Sequence, residues 1–524
     1  MVSRIVSPDI PARFRATAAR FGESIGVCSD QGDWSYAALD RASDGVAGAL
    51  AAAGIREGDR LGLLCGNGAD FVIAYLGALK AGGTLVPLNL LLNPKEMAYI
   101  LADSGAVGLI HHEGFDAAAA AALDGPTDVG VRVRVRVRIG ATPSADPAML
   151  DFAAMMRSVE PAPVRARDPQ HATAAILYTS GTTGRPKGAM LSHANLIANA
   201  DGVAQALGLS PADRILVVLP MFHAFAATVG VLTPLLHGLG IVPVPKFDPG
   251  AISTAIGRHG ASVFLGVPSL YGVLLRLDAE VLAHWRGVRV CVSGGAAMPA
   301  ALMTAFQERF GIPILEGDGP TECGPVTCVN PIAGVRKPGS IGLPIPTVET
   351  RILDSEGREV ADGIYGEVCV RGPSVMQGYH NQPEATRESF FGDWFRTGDL
   401  GYRDADGYLY LVDRIKDLII TNGMNVYPRV IEEALYAHPE VAEAAVVGDP
   451  DARHGEIPVA HVVLRTGSSA TEASLRAWCR EHLGRHEVPR RLIIRDALPK
   501  NAAGKILKRE LRRSGEQERG VGPA

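Results

Sequence analysis

The sequence predicts an α/β protein, in which a large N-terminal domain of layered α/β subdomains and a β-rich subdomain is followed by a small α+β C-terminal domain. Three observations predict this fold. The 524 residues fit about two to four domains of ordinary size. Helical and strand patterns alternate along most of the chain, which favours parallel sheets covered by helices. Near Asp413 a β-rich stretch gives way to a shorter mixed module.

The alternation can be followed element by element in the first part of the chain. Ser35–Gly54 and Phe71–Lys80 have helical spacing of apolar residues. Arg60–Cys65 and Thr84–Pro87 are typical of short buried strands. The alanine-rich run Phe115–Leu123 predicts an exposed helix. This order of elements predicts crossover connections between parallel strands.

Two later segments could suggest other kinds of protein. Val131–Ile139 alternates valine with arginine, which predicts a solvated edge strand or an insertion, with a nucleic-acid stripe as the alternative. No Asp, Glu, Lys or Arg lies between Arg214 and Lys246, so a membrane span is an alternative there. The prolines of that segment favour a strand, a turn at Pro220–His223, a helix and a second strand.

The change of pattern near Asp413 predicts the domain organisation. Residues 1–412 form the large domain, residues 413–417 a hinge, residues 418–513 the C-terminal domain, and residues 514–524 a disordered tail. The predicted elements of the C-terminal domain are the strand Leu418–Thr421, the helix Arg429–Ala437, the strands Val441–Gly448 and Pro458–Leu464, and the helix Thr471–Leu483.

Composition excludes several classes of protein. Hydrophobic residues make up 47% and charged residues 20%, which excludes a disordered or fibrous chain. The net charge of −5 is too small and too mixed for a dedicated nucleic-acid surface. Seven scattered cysteines without a CxxC pair, and an N-terminus without a continuous apolar core, predict a cytoplasmic protein with free thiols.

The segment Tyr178–Gly188, YTSGTTGRPKG, is the most specific motif in the chain. Its glycines let backbone N–H groups approach an anion, its hydroxyls donate hydrogen bonds, and Lys187 adds positive charge. It does not match GxxxxGK[ST], so it is not a P-loop of that kind. The motif predicts a polyphosphate site.

This motif resembles the phosphate loop of the adenylate-forming superfamily, and further matches follow in the order of that family. They are Pro220–His223, Ser293–Ala296, Asp318–Glu322, Arg396–Asp399, Asp413–Asp417, Gly423–Pro428 and Pro499–Lys505. Together they cover the chain from about residue 30 to 510. The resemblance implies an acyl-CoA synthetase: a carboxylate attacks the α-phosphorus of ATP and releases pyrophosphate, and a thiol then displaces AMP.

The resemblance also implies roles for individual residues. Lys505, Thr182 and Glu322 are expected to be catalytic, with Thr182 and Glu322 holding Mg²⁺. His223, Phe222 and Gly294 are expected at the acyl site, Asn422 and Gly423 at the CoA site, and Lys416 at the hinge. The residues expected to bind ATP or AMP are Thr179, Ser180, Gly181, Thr182, Thr183, Gly184, Lys187, Gly295, Ala296, Glu316, Gly317, Asp318, Thr321, Asp399, Arg414, Asn425 and Lys505.

One position departs from the family pattern. The superfamily usually carries an aromatic ring on adenine where this chain has Asp318. Losing a stacking partner forfeits ~0.5–1.5 kcal/mol. The reacting groups are both anionic, so the chemistry depends on cations such as Lys505 more than on a nucleophile. Asp318 therefore puts the adenine contacts in doubt and leaves the reacting residues intact.

The expected substrates are ATP, CoA and a carboxylic acid, with a medium- or long-chain fatty acid as the leading prediction. The apolar residues after His223 include no Asp for an α-amino group. The alternatives are an aryl- or cyclic-acid CoA ligase, an enzyme that loads a carrier protein, and a non-catalytic nucleotide-binding relative. Peripheral membrane contact, a homodimer, and acetylation and deacetylation of Lys505 are further expectations, with no nucleic-acid partner.

Overall fold

The computed structural model describes residues 8–124, 130–142, 144–160, 162–163, 167–179, 185–451, 453–501 and 504–512. The strands are β1 (Ile25–Val27), β2 (Trp34–Ser35), β3 (Arg60–Leu64), β4 (Thr84–Pro87), β5 (Ala106–His112), β6 (Val135–Ile139), β7 (Met149–Asp151), β8 (Thr173–Thr179), β9 (Lys187–Ser192), β10 (Arg214–Val217), β11 (Gly240–Pro243), β12 (Val263–Gly266), β13 (Val290–Ser293), β14 (Ile314–Asp318), β15 (Cys328–Val329), β16 (Leu343–Pro344), β17 (Glu349–Leu353), β18 (Gly366–Arg371), β19 (Gly378–Tyr379), β20 (Phe390–Phe391), β21 (Trp394–Arg403), β22 (Leu409–Arg414), β23 (Ile419–Thr421), β24 (Met424–Val426), β25 (Val441–Asp451), β26 (Gly455–Leu464) and β27 (Arg491–Ile494).

The α-helices are α1 (Ile10–Arg20), α2 (Tyr36–Ala52), α3 (Ala69–Lys80), α4 (Pro94–Asp103), α5 (Asp116–Asp124), α6 (Phe152–Met156), α7 (His193–Ala206), α8 (Thr233–His237), α9 (Pro249–His259), α10 (Pro268–Leu274), α11 (Ala300–Phe310), α12 (Pro383–Glu388), α13 (Pro428–Tyr436) and α14 (Glu472–His482). A π-helical segment spans Ala226–Leu232, just before α8. Local hydrogen bonds fix the first residues of α4 and α7. The Asn93 and Ser192 side chains accept from the backbone N–H of the third residue of their helix, and the side chain of that residue accepts from the backbone N–H of Asn93 or Ser192.

Two sheets with parallel centres form most of the chain before residue 330. A nine-stranded sheet has the order β16-β15-β14-β13-β12-β10-β11-β1-β2, and an eight-stranded sheet has the order β19-β9-β8-β4-β3-β5-β6-β7. Central strands such as β12 are buried along their whole length, as expected of parallel strands covered on both faces. One apolar cluster includes residues of both sheets and of the helices between them. The large unit is therefore held by a continuous core.

Two smaller sheets follow. Strands β17-β18-β21-β20, with β22 on β21, form a five-stranded antiparallel sheet. Strands β24-β23-β26-β25, with β27 on β26, form a second five-stranded sheet, which is antiparallel except for the parallel pair β26–β27. This sheet packs with α13 and α14 around a core of its own. Residues 8–412 are called the large lobe below, and residues 418–512 the small lobe. The last strand before the small lobe ends at Arg414, inside the predicted hinge.

Most element predictions are confirmed, and two are corrected. The strand within Val131–Ile139 spans only Val135–Ile139 and is not at an edge, because it pairs with both β5 and β7. Its valines are buried, and Arg136 and Arg138 pair with carboxylates beside them. The alanine-rich helix exists, but Ala119 and Ala122 are fully buried against the sheet, so it is not exposed on all sides.

The apolar segment 214–246 folds as predicted, into β10, a turn, a helix and β11. The turn is closed by the His223 N–H, which donates to Pro220 O at 2.9 Å. Within the described ranges, no helix is both long and apolar enough to span a bilayer. All seven cysteines are buried and free.

Candidate active site

A cavity opens at the carboxyl ends of the parallel strands β10, β13 and β14. This is the edge at which open α/β sheets place their ligands. The cavity has an empty volume of about 590 Å³ including its mouth. Its lining residues are Val203, Leu207, His223, Ala224, Phe225, Val229, Val292, Ser293, Gly294, Gly295, Gly317, Asp318, Gly319, Thr321, Pro325, Val326 and Val329. The wall is thus mainly aliphatic, with polar groups confined to a few positions.

The backbone at the end of β14 lies unusually close to its neighbour. A Cβ atom at Gly319 would lie 1.7 Å from Pro325 O, so only glycine fits there. The Thr327 N–H donates to Asp318 O at 2.9 Å, which holds the same turn. These contacts fix the point at which Asp318 enters the cavity.

His223 and Phe225 reach the cavity from the segment after β10. Burial lowers the pKa of His223 to about 4, and the nearby Lys505 charge adds to this effect. His223 is therefore a neutral imidazole near pH 7. Phe222, expected at the acyl site, packs in the core and is absent from the described cavity wall, where Phe225 stands. Gly294 lines the cavity as expected.

The described part of the phosphate loop converges on Glu322. Glu322 Oε1 accepts hydrogen bonds from the Tyr379 hydroxyl at 2.9 Å and from Thr179 Oγ1 at 3.5 Å. The Lys187 ammonium lies 5.1 Å from the centre of the Tyr379 ring. Burial, with Glu322 beside it, raises the pKa of Tyr379, so the phenol stays protonated and can donate. Ser180, Gly181, Thr182, Thr183 and Gly184 lie outside the described residues.

Glu322 has the donor chemistry that Mg²⁺ prefers. Among the described residues, no group donates to its second carboxylate oxygen. A carboxylate oxygen beside phosphate and water suits an ion that retains several waters. The described residues form no cluster of three His, Cys, Asp or Glu ligands, so the protein alone offers no cage for a metal. Glu322 therefore fits a metal shared with a nucleotide.

Two carboxylates and two cations lie together at the centre of the cleft. The Arg414 Nε atom lies 2.8 Å from Asp399 Oδ1. Burial raises the pKa of Asp399, while the Arg414 and Lys505 charges act in the opposite direction. Burial also raises the pKa of Asp318, which faces the same two cations. The predicted ribose carboxylate and the predicted catalytic lysine are therefore in one electrostatic cluster.

Lys505 enters this cluster on a loop of the small lobe. The Lys505 N–H donates to Asn501 Oδ1 at 2.9 Å, and the Asn501 N–H donates to Lys505 O at 2.9 Å. Ser269 of the large lobe donates to Gly504 O at 3.4 Å. The Lys505 residue is exposed to solvent, yet the protein atoms around its ammonium group desolvate it and lower its pKa; the Arg414 charge adds to this effect, and Asp399 and Asp318 oppose it. The loop therefore brings an ammonium group of one lobe into the cleft of the other.

Glu316 and the loop before α11 form the neighbouring wall. The Met298 N–H donates to Glu316 Oε1 at 2.9 Å. Burial raises the pKa of Glu316 to about 7. Gly295 and Ala296 are exposed in this loop, and Gly317 and Thr321 line the cavity. Three of these predicted nucleotide contacts, Gly295, Gly317 and Thr321, therefore line the same cavity as Asp318.

The predicted CoA residues lie elsewhere. Asn422 and Gly423 form the turn between β23 and β24, with φ of 52° and 76°, and both are exposed. Asn425, expected to contact the nucleotide, is exposed on the same hairpin. At the hinge, burial lowers the pKa of Lys416, and the Arg414 charge adds to this effect. Among the described residues, no hydrogen bond or ion pair joins this hairpin to the Lys505 cluster.

Several contact residues were missed by sequence reasoning. Tyr379, Ser269 and Phe225 each contact or line the site, and none belongs to a recognisable motif on its own. Thr397 accepts an Arg414 hydrogen bond through its backbone oxygen at 3.4 Å. Phe225 could have been found from its place two residues after His223, whereas Tyr379 and Ser269 lack such a signal.

Comparison with known proteins identifies the family of this chain. A family model described as "AMP-binding enzyme" matches residues 14–380, and one described as "AMP-binding enzyme C-terminal domain" matches residues 430–505. The chain is 39% identical to a sulfoacetate–CoA ligase of Cupriavidus necator, covering 91% of this chain and 92% of that protein. It is 38% identical to a feruloyl-CoA synthase of Amycolatopsis, covering 95% and 96%.

A long-chain-fatty-acid–CoA ligase of Bacillus subtilis is 35% identical, covering 87% of this chain and 86% of that protein. Among solved structures, an anthranilate CoA ligase with bound anthranoyl-AMP matches with a TM-score of 0.90 and 28% identity, covering 98% of both chains. ATP-bound MatB from Rhodopseudomonas palustris matches with a TM-score of 0.88 and 32% identity, covering 98% of this chain and all of that one. Four of these five proteins are named for an acid, and the four acids differ.

Proposed function

Because the chain belongs to the adenylate-forming family of AMP-binding enzymes and is an AMP-forming acyl-CoA synthetase, we propose that its acid is an apolar monocarboxylate, a medium- or long-chain fatty acid. One observation carries this choice of acid. Among the described residues that line the cavity there is no Arg or Lys, and Asp318 adds negative charge. A second anionic group on the acid would therefore be buried without a partner, which is costly.

The chemistry of the first step assigns the cluster around Lys505. A carboxylate must approach the α-phosphorus of ATP, so two anions meet in a site that holds little water. The Lys505 ammonium neutralises this repulsion and fixes the direction of attack. Asp399 accepts hydrogen bonds from the ribose hydroxyls, and Arg414 orients Asp399 and adds positive charge near the phosphate. His223, a neutral imidazole, bounds the acyl cavity at its polar end.

The remaining nucleotide contacts complete the proposed site. The backbone and hydroxyl groups of residues 179–184, with Lys187, bind the polyphosphate. Gly295, Ala296, Glu316, Gly317, Asp318, Thr321 and Asn425 surround the nucleotide. Glu322 holds Mg²⁺ with Thr182, and that ion supplies charge neutralisation to the phosphates. The close packing of Tyr379 against Glu322 supports this assignment, because it orients the carboxylate.

The second step requires a change of pose. Lys505 occupies the approach that a thiol needs, so the small lobe must move before CoA reacts. We place the hinge at residues 413–417, which include Lys416, between domains of residues 1–412 and 418–513. Asn422 and Gly423, exposed on their hairpin, then face CoA. Three finer expectations stay proposals: a cytoplasmic location with peripheral membrane contact, a homodimer, and acetylation and deacetylation of Lys505 by partner enzymes.

Substituting Lys505 tests the assignment of the first step. Lys505→Ala should slow acyl-adenylate formation roughly 10²–10³-fold, because one preorganised charge contact at the transition state is lost. Thioester formation from supplied acyl adenylate and CoA should change less than threefold. Pyrophosphate–ATP exchange measures the first step, and loss of the CoA thiol measures the second. Lys500→Ala is the matched control, since Lys500 pairs with Glu443 inside the small lobe. Equal losses in both steps would contradict the proposed role.

A panel of acids tests the substrate. Purified protein with Mg-ATP and CoA is offered saturated fatty acids of increasing length, ferulate, benzoate and sulfoacetate. We expect AMP and pyrophosphate release with fatty acids and none with sulfoacetate. Each methylene buried in the cavity should raise kcat/KM roughly fourfold, since it contributes ~0.8 kcal/mol. Activation of sulfoacetate in preference to the apolar acids would overturn the proposal.

An aryl- or cyclic-acid CoA ligase is the second candidate. Phe225 on the cavity wall favours it, because an aromatic acid can pack edge-to-face on that ring. The resemblance to a feruloyl-CoA synthase gives independent support. If ferulate or benzoate has a higher kcat/KM than every fatty acid, the aryl assignment replaces the fatty-acid one.

A further inference from the structure

Helix α13 of the small lobe reaches the large lobe through Arg429 at its first turn. The Arg429 guanidinium donates to Leu411 O at 2.6 Å, and the Arg429 backbone N–H donates to Asp413 Oδ2 at 3.0 Å. Its second terminal nitrogen lies 4.0 Å from Glu316 Oε1. The Arg429 side chain is largely buried between these partners. One side chain thus joins α13 to the β22 strand and to the cavity strand β14.

Glu433, one turn further along α13, makes a second contact of a different kind. Burial raises the pKa of Glu433, and the Ala300 backbone N–H, at the first residue of α11, lies close enough to the carboxylate to oppose that rise. The residue before α11 is Pro299, whose side chain cannot cap the helix. Free N–H groups and the helix dipole make that end favourable for a carboxylate. The Glu433 carboxylate of the small lobe therefore lies at the favourable end of α11, where α11 and α13 pack against each other.

Both contacts reach the loop that surrounds the predicted nucleotide site. Glu316 Oε1, which faces Arg429, also accepts the Met298 N–H, and Ala300 lies two residues beyond Met298. The Lys505 loop itself touches the large lobe through a longer hydrogen bond, Ser269 Oγ to Gly504 O at 3.4 Å. Among the described residues, the hydrogen bonds made by Arg429 of α13 are therefore shorter than the one between the Lys505 loop and Ser269.

We propose that Arg429 and Glu433 are positioning residues, which hold the small lobe in the pose that places Lys505 in the cleft. The inference rests on the role proposed above for Lys505. It predicts that the two residues act on adenylation alone, because that step needs the docked pose and thioester formation needs its release. A residue that merely stabilised the fold would affect both steps alike.

The test measures each half-reaction in the full-length enzyme. Arg429→Ala should slow pyrophosphate–ATP exchange about tenfold or more, and Glu433→Gln several-fold, because the docked pose becomes less populated. Thioester formation from supplied acyl adenylate should stay within twofold or rise in both variants. Arg465→Ala is the matched control: Arg465 donates to Val441 O at 3.1 Å within the small lobe and should leave both rates unchanged.

Lys505→Ala, measured in parallel, distinguishes a failure of the role proposed for Lys505 from a failure of the role proposed for Arg429 and Glu433. If it spares adenylation, the proposed role of Lys505 fails and the positioning role fails with it. If Lys505→Ala abolishes adenylation while Arg429→Ala and Glu433→Gln do not slow it, only the positioning role is overturned. Equal losses in both half-reactions of Arg429→Ala would also overturn it, and the supplied-adenylate rate shows in the same experiment that the variant is folded.

Discussion

Asp318 stands where the family resemblance predicts an aromatic ring, and its surroundings explain how a carboxylate is accommodated. The charges of Lys505 and Arg414 and the neighbouring Gly319 N–H all act to lower the pKa of the Asp318 carboxyl. These groups oppose the cost of burial, which raises the pKa of Asp318. Charge contacts thus replace ring contacts at this position, and the adenine base loses a stacking partner.

Restoring a ring at this position should strengthen ATP binding. Asp318→Tyr is expected to lower KM for ATP roughly two- to tenfold, the equivalent of ~0.5–1.5 kcal/mol of stacking. Asp318→Asn is the matched control, because it removes the charge without adding a ring and should not lower KM. Steady-state kinetics at saturating acid and CoA measures both. An unchanged or higher KM in Asp318→Tyr, with thioester formation intact, would refute the stacking argument.

Site residues that lie inside motifs could be predicted from the sequence. Site residues that reach the cleft only through the pairing of distant strands or the docking of the lobes could not. Asp399 and Arg414 belong to two motifs that the resemblance identifies, and the structure pairs them at 2.8 Å. Tyr379 reaches Glu322 only because the two-residue strand β19 pairs with β9. No period or composition marks a strand of two residues. Arg429 contacts Glu316 for the same reason, through the docking of two lobes.

At the scale of elements, the sequence predicts whether a segment is a helix or a strand better than it predicts which elements lie beside it. The alternation of valine and arginine identifies the two faces of β6. Its assignment to an edge was wrong because β7, which covers that side, has three residues and no periodic pattern. The helix after His223 was also predicted, but its π-helical register over Ala226–Leu232 follows from packing.

That π-helical segment forms part of the cavity wall through Val229, in the cavity proposed to hold the acid. Val229→Phe should shift the preference towards shorter acids. Each methylene that no longer fits in the cavity costs ~0.8 kcal/mol of binding free energy, which lowers kcat/KM roughly fourfold. Val229→Ala should shift the preference towards longer or bulkier acids. Profiles of kcat/KM against chain length check both variants. Parallel loss on all acids, without a change in the preferred length, would show that Val229 does not bound the acyl site.

At the scale of the whole molecule, histidines that the fold keeps uncharged contribute to the response of stability to acid. Burial lowers the pKa of His193 to about 3 and the pKa of His223 and His461 to about 4 each. An unfolded chain binds these protons near pH 6.5. Glu316 acts in the opposite direction, since its pKa is raised to about 7 and its neutral form is favoured as pH falls. The slope of the unfolding free energy against pH in the wild-type protein therefore contains contributions of both signs.

A histidine substitution isolates one of these contributions. Below about pH 6.5 the unfolded state binds a proton at His193 that the folded state does not, so folding stability falls as pH falls towards 3. Each such group contributes up to about 1.4 kcal/mol per pH unit to the slope of the unfolding free energy. His193→Gln should therefore flatten that slope between pH 6.5 and 4.5, measured by denaturant unfolding. His486→Gln, at an exposed site of the small lobe, should not flatten it. Because Glu316 and the other histidines are common to both variants, the difference between their slopes reports His193 alone, and identical slopes would mean that its burial is not linked to folding.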